Sequence, residues 1–177
     1  MTREPLDLPF DPIERAGELW EANFGPAAAM RVATSVMRAQ QLLLSRYDLI
    51  LKAYDLTFAR YEALVLLHFS RSGELPLSII GERLMVHPTS VTNTVDRLVR
   101  QGFVARRPNP RDGRGVLARL TDAGRSTLVR ATADLTADGF GLNAYDEPAL
   151  ESLFALLRTL RVDAGDFRSD HAETGDQ

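Results

Sequence analysis

The chain has 177 residues, enough for one ordinary domain with a real core, and no cysteine, which excludes disulfides, thiolate metal sites, Cys nucleophiles and thiol-based redox sensing. Its residues are 45% hydrophobic and 25% charged, with no apolar run of transmembrane length, and Met1 to Pro12 is acidic and punctuated by proline, unlike a secretory signal; a cytoplasmic protein with no membrane partner is expected. The net charge of −3 is unevenly spread: Ser78 to Arg125 holds nine Arg against four acidic residues (+5), and the remainder twelve basic against twenty acidic (−8). A basic third on an acidic body is the asymmetry of a DNA-facing module, although charge alone leaves a solvated basic face equally open.

Asp11-Pro12-Ile13-Glu14 supplies an N-cap, a proline at the first helical position and a capping-box Glu, so a short helix starts here and Gly25-Pro26 stops it. A long helix is predicted from Ala27 to Ala53. Its apolar residues, among them Met30, Val36, Leu43, Tyr47 and Leu51, cover more than one stripe, which calls for burial against both its own domain and a second subunit. Thr57 is the predicted cap of the next helix, with Leu56 stapled onto Tyr61; Ser72-Gly73 ends it. Leu75-Pro76-Leu77 is too short for more than a strand fragment.

Ser78 is the predicted cap of a helix to Leu84. Met85-Val86-His87 reads as a tight turn, and Pro88 opens a second helix to Gln101, stopped by Gly102. Two short helices joined in this way form a helix-turn-helix. Phe103–Arg107 and Val116–Leu120 read as strands around the turn chemistry of Pro108 to Gly115, a hairpin wing. Thr121 caps a helix into the Asp138-Gly139 region. Asp146 caps the last helix, with Leu150, Leu153, Phe154, Leu157 and Leu160 on one face.

The expected fold is therefore mostly α with a small β-wing, a winged helix-turn-helix domain with N- and C-terminal helical dimerisation regions. The expected division is 1–55 for the N-terminal arm and dimerisation helices, 56–122 for DNA binding, 123–162 for C-terminal dimerisation helices, and 163–177 for an acidic, disordered tail.

Val91, Val95 and Leu98 recur at i, i+4 and i+7 and anchor the second short helix. Its other face offers Thr89, Ser90, Thr92, Asn93, Arg97 and Arg100, after His87 and Pro88: short donors and acceptors first, arginines further along. Such side chains meet base edges and phosphates when a recognition helix enters the major groove. At the wing tip Arg111 and Arg114 suit the minor groove, with Asp112 holding the loop by pairing with an arginine. A polar solvent face is the competing reading, but Ser, Thr and Asn are mediocre helix formers and odd choices for solvation alone.

These residues resemble the MarR (multiple antibiotic resistance regulator) family. The match runs through Leu56 to Leu64, Val91 to Leu98, Gly102-Phe103-Val104 and Arg111 to Gly124, the last containing Asp-x-Arg and then Leu-Thr-x-x-Gly. The resemblance implies a homodimer whose winged helices each read half of a palindromic operator in double-stranded DNA. It also implies a repressor released by a small aromatic or organic-anion ligand, with no cofactor. The ligand-site residues singled out are Trp20, Arg38, Tyr47, Arg60, Glu62 and His68. Trp20 in an added N-terminal helix and Arg106 are similar to a urate-responsive subgroup. Glu62 stands where that subgroup has Asp, and Thr94 where it has Arg, which weighs against urate itself.

No enzyme is expected. There is no Gly-rich phosphate loop, nucleophile elbow or zinc motif, and His68, His87 and His171 lack the i, i+4 spacing of metal ligands. Two alternatives stay open: a winged helix used as a protein-interaction module, and a DNA-binding protein with no small-molecule switch.

Overall fold

The computed structural model describes residues 7–110 and 115–168. Helix α1 (Pro12–Phe24) starts as its Asp-Pro pair predicts, with Asp11 Oδ1 accepting from the Ile13 N–H at 2.8 Å. Gly17 is its buried residue. A Cβ there would lie 2.1 Å from Arg31 Nε, so the Arg31 side chain of α2 (Ala28–Leu51) passes directly over this glycine to pair with Glu21 at 2.7 Å.

Helix α2 buries only its C-terminal part, at Tyr47 and Leu51; Val32, Val36, Met37, Leu42, Leu44 and Leu49 stay exposed. It tightens into a 3-10 turn over Lys52–Tyr54, and Asp55 at φ 52° turns the chain in the left-handed region. Helix α3 (Phe58–Phe69) departs from the predicted cap. The Thr57 hydroxyl takes no backbone N–H there; Asp48 Oδ1 of α2 accepts from the Phe58 N–H at 2.8 Å instead. Thr57 Oγ1 is left to accept from Arg60 Nε at 3.3 Å.

The fragment after α3 is a true strand, β1 (Glu74–Pro76), and α4 (Leu77–Leu84) begins one residue before the predicted Ser78 cap. Pro76 explains this: its ring fixes φ at −59°, ending the strand pairing and placing the next residue directly in the helix, with no side-chain cap. Met85 at φ 52° closes α4, and α5 (Pro88–Arg100) follows. The strands β2 (Val104–Pro108) and β3 (Val116–Leu120) pair antiparallel, Val104 opposite Leu120, and β1 adds to the other edge of β3, giving the order β1-β3-β2.

Helix α6 (Asp122–Ala137) is capped by Thr121, whose Oγ1 accepts from the Gly124 N–H at 3.0 Å. Leu51, Leu64, Leu67, Ile80, Val91, Val95, Leu98, Leu128 and Leu135 form one core from α2 to α6. Each such side chain contributes about 1.5–3 kcal/mol by leaving water.

Residues 142–168 belong to a second compact unit. Its helix α7 (Glu147–Asp163) is capped by Asp146, which accepts from the Ala149 N–H at 3.0 Å, and none of its residues is buried. Leu153, Phe154, Leu156, Leu157 and Leu160 are exposed. Within the segment expected to be a disordered tail, Asp166 pairs with Arg161 at 2.7 Å, and the Phe167 ring lies under the Arg158 and Arg161 guanidinium groups at 5.0 and 5.1 Å. No helix among the described residues is long and apolar enough to cross a membrane.

Candidate nucleic-acid interface and ligand cleft

Helix α5 is held by the stripe read from its sequence: Val91, Val95 and Leu98 are all at most 2% exposed. Close approach of α4 is set by Gly81, where a Cβ would meet Val91 Cγ2 at 3.1 Å and the Val86 carbonyl at 3.3 Å. With that face buried, Thr89, Ser90, Thr92, Asn93, Arg97 and Arg100 project outward, and His87 and Pro88 are exposed at the N-terminal end. His87 is also the cap of α5: its Nδ1 accepts from the Thr89 N–H at 3.3 Å, which leaves Nε2 to face outward as a donor. The Ser90 and Val91 N–H groups both donate to the His87 carbonyl, at 2.8 and 3.2 Å, so the first turn is closed on His87 and its outward face is made of side chains.

The base of the wing is clamped to α5. Thr121 Oγ1 donates to the Gly102 carbonyl at 2.7 Å, while the Thr121 N–H donates to the Phe103 carbonyl at 3.1 Å. Arg106 of β2 pairs with Asp96 of α5 at 2.8 Å, so this arginine is engaged in joining helix and wing. Arg107 pairs with Glu74 of β1 at 3.2 Å. The two strands are closed beyond their ends by the Asn109 N–H donating to the Gly115 carbonyl at 2.9 Å. Arg111, Asp112 and Arg114 lie outside the described residues.

A second feature is a cleft of about 610 Å³ between α3 and α6, reached also by Leu84 of α4 and Phe140 of the 3-10 turn Gly139–Gly141. From α3 come Phe58, Tyr61, Glu62, Val65, Leu66, His68 and Phe69; from α6 come Leu128, Val129 and Thr132. The Tyr61 hydroxyl lies 3.1 Å from Thr132 Oγ1 across it. Burial pushes the Glu62 carboxyl above the usual carboxylate range. His68 Nδ1 is 2.8 Å from Arg125 Nη1, and a guanidinium can only donate, so His68 accepts in this pair.

Of the six ligand-site residues singled out from sequence, Glu62 and His68 line this cleft. Tyr47 stands behind it: its ring packs on Phe58 at 4.8 Å and its hydroxyl donates to the Phe140 carbonyl at 2.9 Å. Burial, then the nearby Asp138 charge, pushes that hydroxyl's pKa up. Arg60 turns away, donating to Thr57 Oγ1 and to the Asp55 carbonyl at 2.8 Å. Arg38 lines a separate shallow groove with Ile13 and Met37, between α1 and α2. Trp20 packs on Phe24 of its own helix at 5.0 Å. The aromatic walls Phe58, Phe69 and Phe140 were not singled out. The signal for two of them was that α3 carries large apolar residues on more faces than its buried Leu64 and Leu67 stripe needs.

A family model described as the MarR family matches residues 56–116, from the residue before the α3 cap to the first residue of β3. The crystal structure of Sco5413, a MarR family transcriptional regulator from Streptomyces coelicolor, is similar at 64% identity over 80% of this chain and 98% of that one, with a TM-score of 0.75. Sco3205 from the same organism, solved in complex with DNA, is 25% identical, covers 73% of this chain and 86% of its own, and has a TM-score of 0.67. The transcriptional repressor MdtR of Bacillus subtilis (strain 168) is 38% identical over 63 residues, 36% of this chain and 41% of MdtR. The chain spans about two fifths of the length of the curated relatives it matches first.

Proposed function

Because the chain belongs to the MarR family of transcriptional regulators, we propose that it binds double-stranded DNA as a homodimer, each winged helix reading one half of a palindromic operator, and represses until a small aromatic ligand releases it. The observation that carries this reading is the outward face of α5. Six exposed polar or basic side chains from Thr89 to Arg100 stand on a helix anchored by a fully buried apolar stripe, and the Ser, Thr and Asn among them are mediocre helix formers, odd choices for a face that only meets water. The DNA complex of the similar Sco3205 and the repressor name of MdtR support it.

In this reading 56–122 is the DNA-reading domain, with Thr89, Ser90, Thr92, Asn93, Arg97 and Arg100 toward bases and phosphates, His87 and Pro88 at the backbone, and Arg111, Asp112 and Arg114 in the wing. The segments 1–55 and 123–162 pair the subunits, which accounts for the exposed apolar residues of α1, α2 and α7. The two reading helices then sit about one turn of DNA apart. A ligand that prefers another spacing shifts the population away from the bound state.

The test is binding of the purified full chain to the DNA upstream of its own coding region, against a scrambled duplex, across a salt series. Tight, salt-steep binding with two chains per operator is expected. Absence of DNA binding at low salt would overturn the reading and leave the winged helix as a protein-interaction module.

A further inference from the structure

The chemistry of the α3–α6 cleft is lopsided. Among the residues that line it there is no Arg or Lys, and Glu62 is its carboxyl group. His68 Nδ1 lies 2.8 Å from Arg125 Nη1. Glu62 is half-buried and has no hydrogen bond or ion pair among the described residues, and burial holds its carboxyl above the ordinary range. A carboxylate withdrawn from water without a partner is destabilised, and whatever supplies a positive charge relieves it. Four aromatic rings, Phe58, Tyr61, Phe69 and Phe140, line the same space, and aromatic faces attract cations. The two arginines that would have favoured an anion are elsewhere: Arg60 is bound to Asp55 and Thr57, and Arg38 lies in the groove between α1 and α2.

We propose that this cleft binds an aromatic monocation, with the Glu62 carboxylate as counter-ion and the surrounding rings as its apolar seat. The inference rests on the proposed release of the regulator by a small aromatic ligand, assigns that ligand to this cleft and gives the site a charge preference. The volume of about 610 Å³ suits a ligand of drug size, within the range of about 300–1,000 Å³ usual for such pockets. An organic anion of equal size would bring a second negative charge beside Glu62, while Arg125, the guanidinium held against His68 at 2.8 Å, is not among the residues that line the cleft.

Tetraphenylphosphonium and tetraphenylborate, a cation and an anion of nearly the same shape, test this by calorimetric titration of the full-length protein. Tetraphenylphosphonium is expected to bind at least about tenfold more tightly than tetraphenylborate. The isosteric Glu62→Gln change should remove about tenfold of the cation's affinity, roughly 1.4 kcal/mol, while leaving or improving that of the anion. Equal affinities, an anion preference, binding by neither probe, or a Glu62→Gln variant that keeps full cation affinity would each overturn the proposal. The comparison of the two probes on the unaltered protein stands whether or not the variant folds. Release of the operator is read separately: a cation that binds through Glu62 and leaves DNA affinity unchanged supports the site's chemistry and overturns its role as a switch.

Discussion

The Gln101 side-chain amide at the end of α5 donates to both the carbonyl and the carboxylate of Asp55, at 2.6 and 2.8 Å. Asp55 is the left-handed residue that joins the long helix to α3, and the same carbonyl accepts from Arg60. Helix α5 is thereby tied, through one glutamine, to the turn between α2 and the rest of the domain. Gln101→Ala should lower the unfolding temperature by about 2–4 °C, the loss of roughly 1 kcal/mol of hydrogen bonding. It should weaken operator and non-specific DNA by a similar factor. Gln101→Glu should be worse at neutral pH, since it sets a carboxylate against Asp55. Thermal unfolding and DNA titration of both variants check this; a loss confined to the operator would reassign Gln101 to base reading.

Asn93 and Arg97 separate the two kinds of interaction expected of α5. Asn93→Ala should relax sequence preference by about 1–3 kcal/mol at one base pair per half-site. Arg97 is exposed and has no ion pair among the described residues, so its charge is available to a phosphate. Arg97→Ala should weaken all sequences alike and reduce the slope of log affinity against log salt by about 1 for each phosphate that the arginine neutralises. Competition titrations on single-base operator variants, at several salt concentrations, read both quantities.

Gly124 explains a piece of the sequence that reads only as a motif. A Cβ at this position would stand 2.2 Å from the Phe103 carbonyl oxygen and 3.0 Å from Leu120 Cδ1. The obstacle is backbone and cannot swing aside. Gly124→Ala should therefore cost about 1–3 kcal/mol, seen as a drop of several degrees in thermal unfolding, although alanine is the better helix former. An unchanged or raised melting temperature would show that the strand can shift without penalty.

Glu62 gives a pH dependence of definite sign. Its carboxyl is raised in the fold above the ordinary value of 4.5. Over the interval between that value and the raised one, the folded protein holds a proton that the unfolded chain has released, so this group makes stability fall as pH rises. Glu62→Gln should accordingly melt about 1–2 °C higher at pH 7.5, a small effect because the group is partly solvated. The advantage should vanish as pH approaches 4, where both states are protonated. Paired melting curves from pH 4 to 8 measure it, and a gap that stays constant with pH would remove Glu62 as its source.

How legible these features were in the sequence depended on where their partners lie. Helix α5, its turn and the strands of the wing were readable because Val91, Val95 and Leu98 keep one period, and because Pro88, Gly102, Pro108, Gly115 and the cap Thr121 mark the ends of these elements. The caps at Asp11, Thr121 and Asp146 were readable for the same local reason. The cap of α3 was not, since Asp48 reaches it from ten residues upstream and Thr57 looked sufficient. Three residues leave no period from which β1 could be recognised as the third strand of the sheet. The cleft was least legible. Its walls converge from two long helices, one short one and a turn, and the two arginines singled out for the ligand site are satisfied by neighbours a few residues away or lie on another groove.

The clamp at Thr121 bears on what a regulating ligand is able to change. One hydroxyl fixes the exit of α5 and the entry of α6 at once, and Asp96 with Arg106 locks the same helix to the wing. Helix and hairpin therefore travel together, and no easy motion alters how a single half-site is read without breaking these bonds. In the proposed dimer, recognition is then divided in two: each lobe carries a fixed vocabulary, and only the interval between two lobes is open to adjustment. An operator whose half-sites are kept but moved apart by one or two base pairs should mimic the released state, and one matched to the ligand-bound spacing should invert the response, turning a signal for release into a signal for capture.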